Sequence, residues 1–241
     1  MKIRLDQHIM ELGLAGSRNR AQELIKEGLV LLNGKICKKP AKEIITESSV
    51  SIVEQRQWVS RAGKKLFEAL KSFKVKVEGK TALDVGSSTG GFSQVLLYKG
   101  AEKITSVDVG TDQLHSSLRN VARISLLEQT DIRDISSRLK DSFDLVVVDV
   151  AFISLSKIIK DIEFVARTGG DIILLYKPQF EVGKQHISKN GVVKKETDTQ
   201  KILGHFLKSL EKSSLYFVKW RKAYITGKKG NQEIFIHLKK C

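Results

Sequence analysis

The residues of this 241-residue chain best suited to chemistry stand at the ends of short apolar runs. Asp84-Val85-Gly86-Ser87-Ser88-Thr89-Gly90-Gly91-Phe92 follows one such run and opens a helical pattern. Glycines there let the backbone turn tightly and approach a ligand closely. A Gly-rich turn alone is compatible with a dinucleotide, a phosphate or no ligand. The spacing Asp-x-Gly-x-x-x-Gly is not that of dinucleotide sites, and no Gly-Lys-Ser/Thr follows as in a phosphate loop. Asp108, 24 residues after Asp84, ends the next run. A carboxylate in that position accepts both ribose hydroxyls of an adenosine. Asp131, after the third run, is placed to meet the adenine edge. Three acids at successive strand ends point to an adenosyl ligand. Asp84 is expected to balance the cationic end of a sulfonium cofactor.

The later strand ends discriminate between chemistries. An exocyclic-amine methyltransferase would carry Asn/Asp-Pro-Pro-aromatic after the fourth strand, where this chain reads Asp149-Val150-Ala151-Phe152. A C5-pyrimidine methyltransferase needs a nucleophilic cysteine near the site. Here the two cysteines are Cys37 and the terminal Cys241. What remains is Asp149, Lys177 before Pro178, Lys65 in the helix ahead of the first strand, and Glu233 opening the last. On a helix whose core face is Leu66, Leu70 and Phe73, Lys65 sits beside that face and Lys64 nearly opposite.

These residues need a frame. Strand-like runs occur at Thr81–Val85, Ile104–Val109, Ile124–Leu127, Leu145–Val150, Ile172–Tyr176, Leu215–Trp220 and Glu233–Leu238. Helical patterns lie around 91–99, 111–120, 154–166 and 197–212. The alternation predicts an α/β doubly wound, mostly parallel sheet of seven strands closing on an antiparallel hairpin. Ahead of it, residues 1–53 read as a small α/β module. Leu5, Ile9 and Leu12 mark one helix. Ser17 caps a second through Ala21, Leu24 and Ile25, ending at Gly28. Leu29-Val30-Leu31-Leu32 is strand-like, Asn33-Gly34 is a hairpin turn, and Val50-Ser51-Ile52-Val53 closes the module. Residues 54–58 read as a stiff linker whose Trp58 packs on one module, with the second module at 59–241.

With Arg4-Leu5-Asp6, Gly13-Leu14-Ala15, Ser17-Arg18, Gly28, Val30 and Asn33-Gly34-Lys35, the first module resembles the RNA-binding module first known from ribosomal protein S-four. That likeness implies an RNA-facing surface of Arg4, Arg18, Arg20, Lys35, Lys38 and Lys39, joined by Arg61 of the second module. The second module resembles the Rossmann-like class I S-adenosyl-L-methionine methyltransferases. By that likeness Asp84, Gly86, Ser87, Ser88, Thr89, Gly90, Gly91, Phe92, Asp108 and Asp131 would bind the cofactor. Lys65, Asp149, Lys177 and Glu233, in that order, resemble the catalytic tetrad of FtsJ-type ribose 2′-O-methyltransferases. Val59-Ser60-Arg61, Ser154-Leu155 and Lys177-Pro178-Gln179-Phe180-Glu181-Val182-Gly183 match more closely the TlyA family, also labelled haemolysins. The resemblance implies methylation of cytidine ribose in ribosomal RNA, of the large subunit and in longer members also the small. In that chemistry Lys177 would act as base if neutral, or as oxyanion stabiliser if charged.

Composition agrees with an RNA partner. Forty-two Lys and Arg against 27 Asp and Glu give a net charge of +15, which favours a polyanion. Between residues 200 and 241, ten Lys and Arg face only Glu211 and Glu233. No Cys/His spacing resembles a metal site, so none is expected. No signal-peptide pattern opens the chain, and no apolar run nears the ~20 residues of a membrane helix. A cytoplasmic monomer working on ribosomal RNA or subunits is therefore expected. Two rivals stand beside it: a membrane-active haemolysin, and an RNA-binding protein with an inactive methyltransferase domain.

Overall fold

The computed structural model describes residues 2–52, 57–194, 197 and 199–241. Val53, read as the end of a strand, and linker residues 54–56 lie outside the described residues. The chain divides into two compact units, Met1–Gln57 and Trp58–Cys241.

The first unit runs β1 (Lys2–Arg4), α1 (Leu5–Glu11), α2 (Arg18–Lys26), β2 (Val30–Leu32), β3 (Lys35–Cys37), β4 (Glu43–Ile45) and β5 (Val50–Ile52). Ser17 caps α2, its hydroxyl accepting from Arg20 N at 3.2 Å. Leu5 and Ile9 of α1 meet Ala21, Leu24 and Ile25 of α2 in a core closed by Val30 and Leu32. Asn33 and Gly34 both take positive φ, as a two-residue hairpin between β2 and β3 requires. β5 pairs with the other edge of β2. The β1–β4 pairing is an addition to the sequence reading, with Ile3 opposite Ile44.

The second unit runs α3 (Arg61–Phe73), β6 (Thr81–Val85), α4 (Gly91–Tyr98), β7 (Lys103–Val107), α5 (Ser116–Arg119), β8 (Ile124–Leu127), α6 (Ile132–Ile135), β9 (Phe143–Val148), α7 (Ile159–Val165), β10 (Ala166–Tyr176), α8 (Pro178–Glu181), α9 (Thr199–Ser209), β11 (Leu215–Lys222) and β12 (Ile234–Lys240). The seven-stranded sheet has order β11-β12-β10-β9-β6-β7-β8. β12 runs antiparallel between β10 and β11, and the other neighbours are parallel. This is the Rossmann-like methyltransferase arrangement expected. Apolar side chains cover both faces, as buried parallel strands require. Leu66, Leu70 and Phe73 of α3 lie with Ile173, Leu175 and Phe235 on one face. Ile162, Val165, Leu203 and Phe206 lie with Val146, Ile172 and Ile236 on the other. Trp58 belongs to this unit, its ring centroid 5.5 Å from Phe67 and 5.8 Å from Tyr98.

Two elements differ from the sequence reading. The helix expected over 111–120 is reduced to Ser116–Arg119, because Asp112 takes φ 55°, outside the helical range, and Gln113 lines a cavity. β10 begins at Ala166 rather than 172, through Gly169 and Gly170 and an irregularity in its pairing to β9.

Candidate active site

The carboxyl ends of β6, β7 and β9 are locked together by their own backbones. Gly86 N donates to Val107 O at 2.8 Å, and Asp149 N donates to Val85 O at 2.9 Å. Gly86 sits at φ +82°, and a Cβ there would lie 2.7 Å from the Asp149 carbonyl oxygen. Glycine at 86 is thus required by the close passage of the β9 end. A Cβ on Gly90, at φ +86°, would meet the methyls of Leu118 and Leu114. These two glycines serve chain passage and packing.

Two cavities open at this edge and share Gly86, Ser88, Asp149 and Ala151. The first, about 400 Å³, is lined by Asp108, Val109, Gly110, Gln113, Asp131, Ile132, Val150 and Phe152 among others. Asp108 stands on its wall as a fixed acceptor. Its two carboxylate oxygens accept from Ser88 N at 2.8 Å and Gly110 N at 2.7 Å. Asp131 lines the same cavity, but Arg133 grips its carboxylate at 2.9 and 2.6 Å. Those bonds hold its pKa below the usual carboxylate range. Asp131 also caps α6 through Arg133 N.

The second cavity, about 510 Å³, is lined by Ser60, Arg61, Ala62, Lys65, Ser87, Thr89, Phe92, Lys177 and Lys228 besides the shared residues. Two cation–carboxylate pairs border it. Lys65 Nζ donates to Glu233 Oε2 at 2.6 Å, and both side chains are at most a tenth exposed. Lys177 Nζ lies 2.7 Å from Asp149 Oδ1, as a charge contact outside hydrogen-bond alignment. Lys64, one residue from Lys65, instead lies over the Tyr224 ring at 6.0 Å.

Each member follows from local folding. Lys65 is carried inward beside the apolar face of α3. Asp149 and Lys177 are the residues immediately after β9 and β10, and Glu233 immediately precedes β12, which lies antiparallel on β10. Pro178 at the first position of α8 fixes the turn after Lys177. Glu181, at the end of that turn, accepts from Ser154 Oγ at 2.6 Å and Leu155 N at 2.9 Å. It staples the Lys177 loop to the Asp149 loop. Burial pushes its pKa up, against those two bonds. Its place in the Lys177–Gly183 stretch was visible in sequence, but this bond pattern was not. Phe152 is 93% exposed at φ 65°, its ring 5.4 Å from Phe180.

Asp84 requires a correction. It is fully buried and lines neither cavity. Ser93 Oγ donates to its Oδ2 at 2.6 Å. Burial pushes its carboxyl up to about 7, with nearby Asp149 and Asp108 adding to the rise. The structure therefore places this carboxylate beneath the loop and not on a cavity wall. Asp84 supports the loop from beneath through Ser93, which also bonds Ser106 at 2.8 Å. Phe92 is buried against Phe235 at 6.2 Å, and Gly91 opens α4 against Ser60 and Gly63.

In the first unit, Arg20, Lys35, Lys38 and Lys39 are exposed. Arg20 pairs with Glu23 at 3.0 Å. Arg4 and Arg18 are tied to buried Asp6 at 2.8 and 3.3 Å, and Arg4 foremost holds that carboxyl far below the usual range. In the second unit, Arg61 donates to Thr226 O at 3.1 Å.

The residues 58–240 match the model of the FtsJ-like methyltransferase family, and residues 3–44 match the S4 domain. The chain is 36% identical over 241 residues to the 16S/23S rRNA (cytidine-2′-O)-methyltransferase TlyA of Mycobacterium tuberculosis, covering 99% of this chain and 90% of that one. It is 39% identical over 240 residues to the 23S rRNA (cytidine-2′-O)-methyltransferase TlyA of Campylobacter jejuni, covering 92% and 93%. Among solved structures it resembles one from Streptococcus thermophilus described as a hemolysin, with TM-score 0.71, 34% identity and coverage of 99% and 88%.

Proposed function

Since the chain belongs to the FtsJ-like methyltransferase family, with an S4 domain ahead of the catalytic one, we propose that it methylates the ribose 2′-hydroxyl of cytidine in ribosomal RNA, using S-adenosyl-L-methionine. One observation carries the reading. Two cation–carboxylate pairs, the buried Lys65–Glu233 and the partly exposed Lys177–Asp149, border a cavity that opens into a second one built around Asp108.

The residues present fit the cofactor. The first cavity offers apolar walls for a flat ring at Ile132, Val150 and Phe152, and a fixed carboxylate for ribose hydroxyls at Asp108. Where it meets the second cavity, Ser87 Oγ is buried without a hydrogen-bond partner among the described residues, as expected of a group that waits for a ligand. When bound, the cofactor supplies an electrophilic methyl group on a sulfonium centre. Asp131, held by Arg133, shapes the ring pocket more than it bonds within it.

A ribose hydroxyl is a weak acid and a weak nucleophile, so the protein must orient it and handle its proton. Asp149 holds the Lys177 ammonium at the boundary between the two cavities. There Lys177 fixes the 2′-oxygen and stabilises the negative charge that grows as its O–H bond weakens. As the 2′-oxygen commits a lone pair to the methyl carbon that the cofactor would present, its proton passes to the Asp149 carboxylate, since the Lys177 ammonium has no lone pair to accept it. Lys65 adds positive potential from the far wall, and Glu233 keeps that ammonium oriented and electrically balanced. Exposed Phe152 gives an unpaired base an aromatic face beside the site. The S4 domain contributes a basic surface of Arg20, Lys35, Lys38 and Lys39 that neutralises phosphates.

Lys177→Met tests the assignment. Methyl transfer to RNA should fall by about a hundredfold to a thousandfold, the scale of losing an electrostatic group of this kind, while cofactor affinity changes less than threefold. Retained turnover would remove Lys177 from the mechanism. The haemolysin reading gains no support from the fold, in which no described helix is long and apolar enough to cross a membrane.

A further inference from the structure

A basic ridge leads away from the acceptor cavity, and apart from Arg61 and Lys65 its cations have had no role so far. α3, β11 and the loop joining β11 to β12 carry Arg61, Lys64, Lys65, Lys71, Lys219, Arg221, Lys222, Lys228 and Lys229, against a single acid before Glu233, Glu68. Their contacts place many of these cations along one side, from the cavity mouth outward. Arg61 bonds Thr226 O at 3.1 Å, and Lys64 lies over Tyr224 at 6.0 Å. Arg221 reaches the backbone oxygen of Glu68 at 3.4 Å, and Lys219 lies over Phe73 at 5.4 Å. Arg61 and Lys228 line the acceptor cavity itself, so the ridge and the cavity are continuous.

Lys65 and Lys177 have carboxylate partners. Arg61, Lys64, Lys219, Arg221 and Lys228 have no ion pair with any described residue. Tyr224 is 68% exposed, an apolar ring held out in solvent beneath a cation. The 13 residues of α3 span about 20 Å at ~1.5 Å each, room for a few nucleotides. Cations that track a backbone, with an aromatic face for a base, are how proteins hold single strands without reading sequence.

We propose that this α3–β11 ridge is a track for the single-stranded RNA segment that flanks the modified nucleotide, with Tyr224 stacking a base just outside the cavity and Lys64, Lys219, Arg221 and Lys228 on its phosphates. The proposal rests on RNA being the acceptor. It gives the Lys64 side chain, which points away from the tetrad, a task of its own.

The test uses the full chain, labelled S-adenosylmethionine and unmodified ribosomal subunits. Tyr224→Ala should raise KM for RNA about tenfold, the scale of one lost base stack, with kcat within twofold, and Tyr224→Trp should restore it. Lys64→Gln with Lys219→Gln should lower the slope of log affinity against log salt by about 1.4, at ~0.7 per cation on a single strand. Unchanged KM and unchanged salt slope would overturn the track. Should Tyr224→Ala lose cofactor affinity through misfolding, wild-type enzyme photo-crosslinked to 4-thiouridine-substituted RNA decides. Adducts on the peptide containing Tyr224 support the track, and adducts confined to the S4 domain overturn it. A dimer in sedimentation that Tyr224→Ala dissociates would assign the face to a second copy and overturn it too. If wild-type enzyme puts no label into RNA, the methyltransferase reading itself fails.

Discussion

Gly86→Ala probes the point where the two cavities meet. The added Cβ would stand 2.7 Å from the Asp149 carbonyl oxygen and 3.0 Å from its carbon, where ordinary contact begins near 3.4 Å. Both atoms are backbone, so the Asp149 end of β9 must retreat by about 0.7 Å. Two costs add. Holding alanine at φ +82° costs about 1–2 kcal/mol, and overpacking costs about 1–3 kcal/mol. For a domain of this size, each kcal/mol lowers Tm by roughly 2–4 °C, so a fall of about 10 °C is expected. Catalysis should suffer separately. Asp149 holds Lys177 at 2.7 Å, and a shift of ~1 Å costs about a hundredfold in rate. A shift of about 0.7 Å then predicts a kcat loss of order thirtyfold. The assay pairs a thermal melt with single-turnover methyl transfer well below the new Tm. Gly90→Ala is the control: the backbone penalty is similar, but its Cβ meets the movable ends of Leu118 and Leu114. It should lose kcat by less than threefold. A folded Gly86→Ala enzyme with wild-type kcat would show that Asp149 keeps its place against Lys177 despite the added methyl.

Other outcomes follow from the charges. Lys65→Met leaves Glu233, 4% exposed, without its cation and should destabilise by about 3–5 kcal/mol. Adding Glu233→Leu should recover most of that in denaturant melts without recovering activity, separating the pair's structural role from its chemical one. Asp84 makes stability depend on pH. Its folded carboxyl titrates near 7 against an ordinary 3.8, so the native state binds the extra proton and stability falls as pH rises between those values. Asp84→Asn should flatten that part of a Tm-against-pH curve, gaining over wild type at pH 8 relative to pH 5. Parallel curves would place the buried charge elsewhere.

Much of this was legible in sequence because strand ends advertise themselves. Asp108, Asp149 and Lys177 each follow an apolar run within a residue, and resemblance to known methyltransferases joined them to Lys65 and Glu233. Helical phase and the family resemblance both chose Lys65 over Lys64, and their exposures differ in that sense. The burial of Asp84 was not legible, because its position in the motif does not say which side of the loop its carboxylate takes; its place beneath the loop, bonded to Ser93, is a tertiary fact. Gly86 and Gly90 read as glycines that let the backbone turn and approach a ligand, yet the neighbours that exclude a Cβ are the Asp149 end of β9 and the side chains of Leu114 and Leu118, far away in sequence. The β1–β4 pair escaped because three-residue strands show no alternation. Placing β12 between β10 and β11 depends on non-local pairing that no local pattern encodes. Arg4 and Arg18 read as free RNA-facing cations, but buried Asp6 recruits both.

Ribose methylation at cytidine leaves a chemical mark that alkali reveals. Incubate the enzyme with unmodified ribosomal subunits and S-adenosylmethionine labelled in the methyl group, then hydrolyse the RNA in alkali. A 2′-O-methyl group blocks cleavage at its own phosphodiester, so the label should appear in alkali-resistant dinucleotides whose 5′ nucleoside is cytidine, and Lys177→Met should give none. Label in mononucleotides, on a base, would contradict the account, as would wild-type enzyme that binds the RNA and leaves it unlabelled.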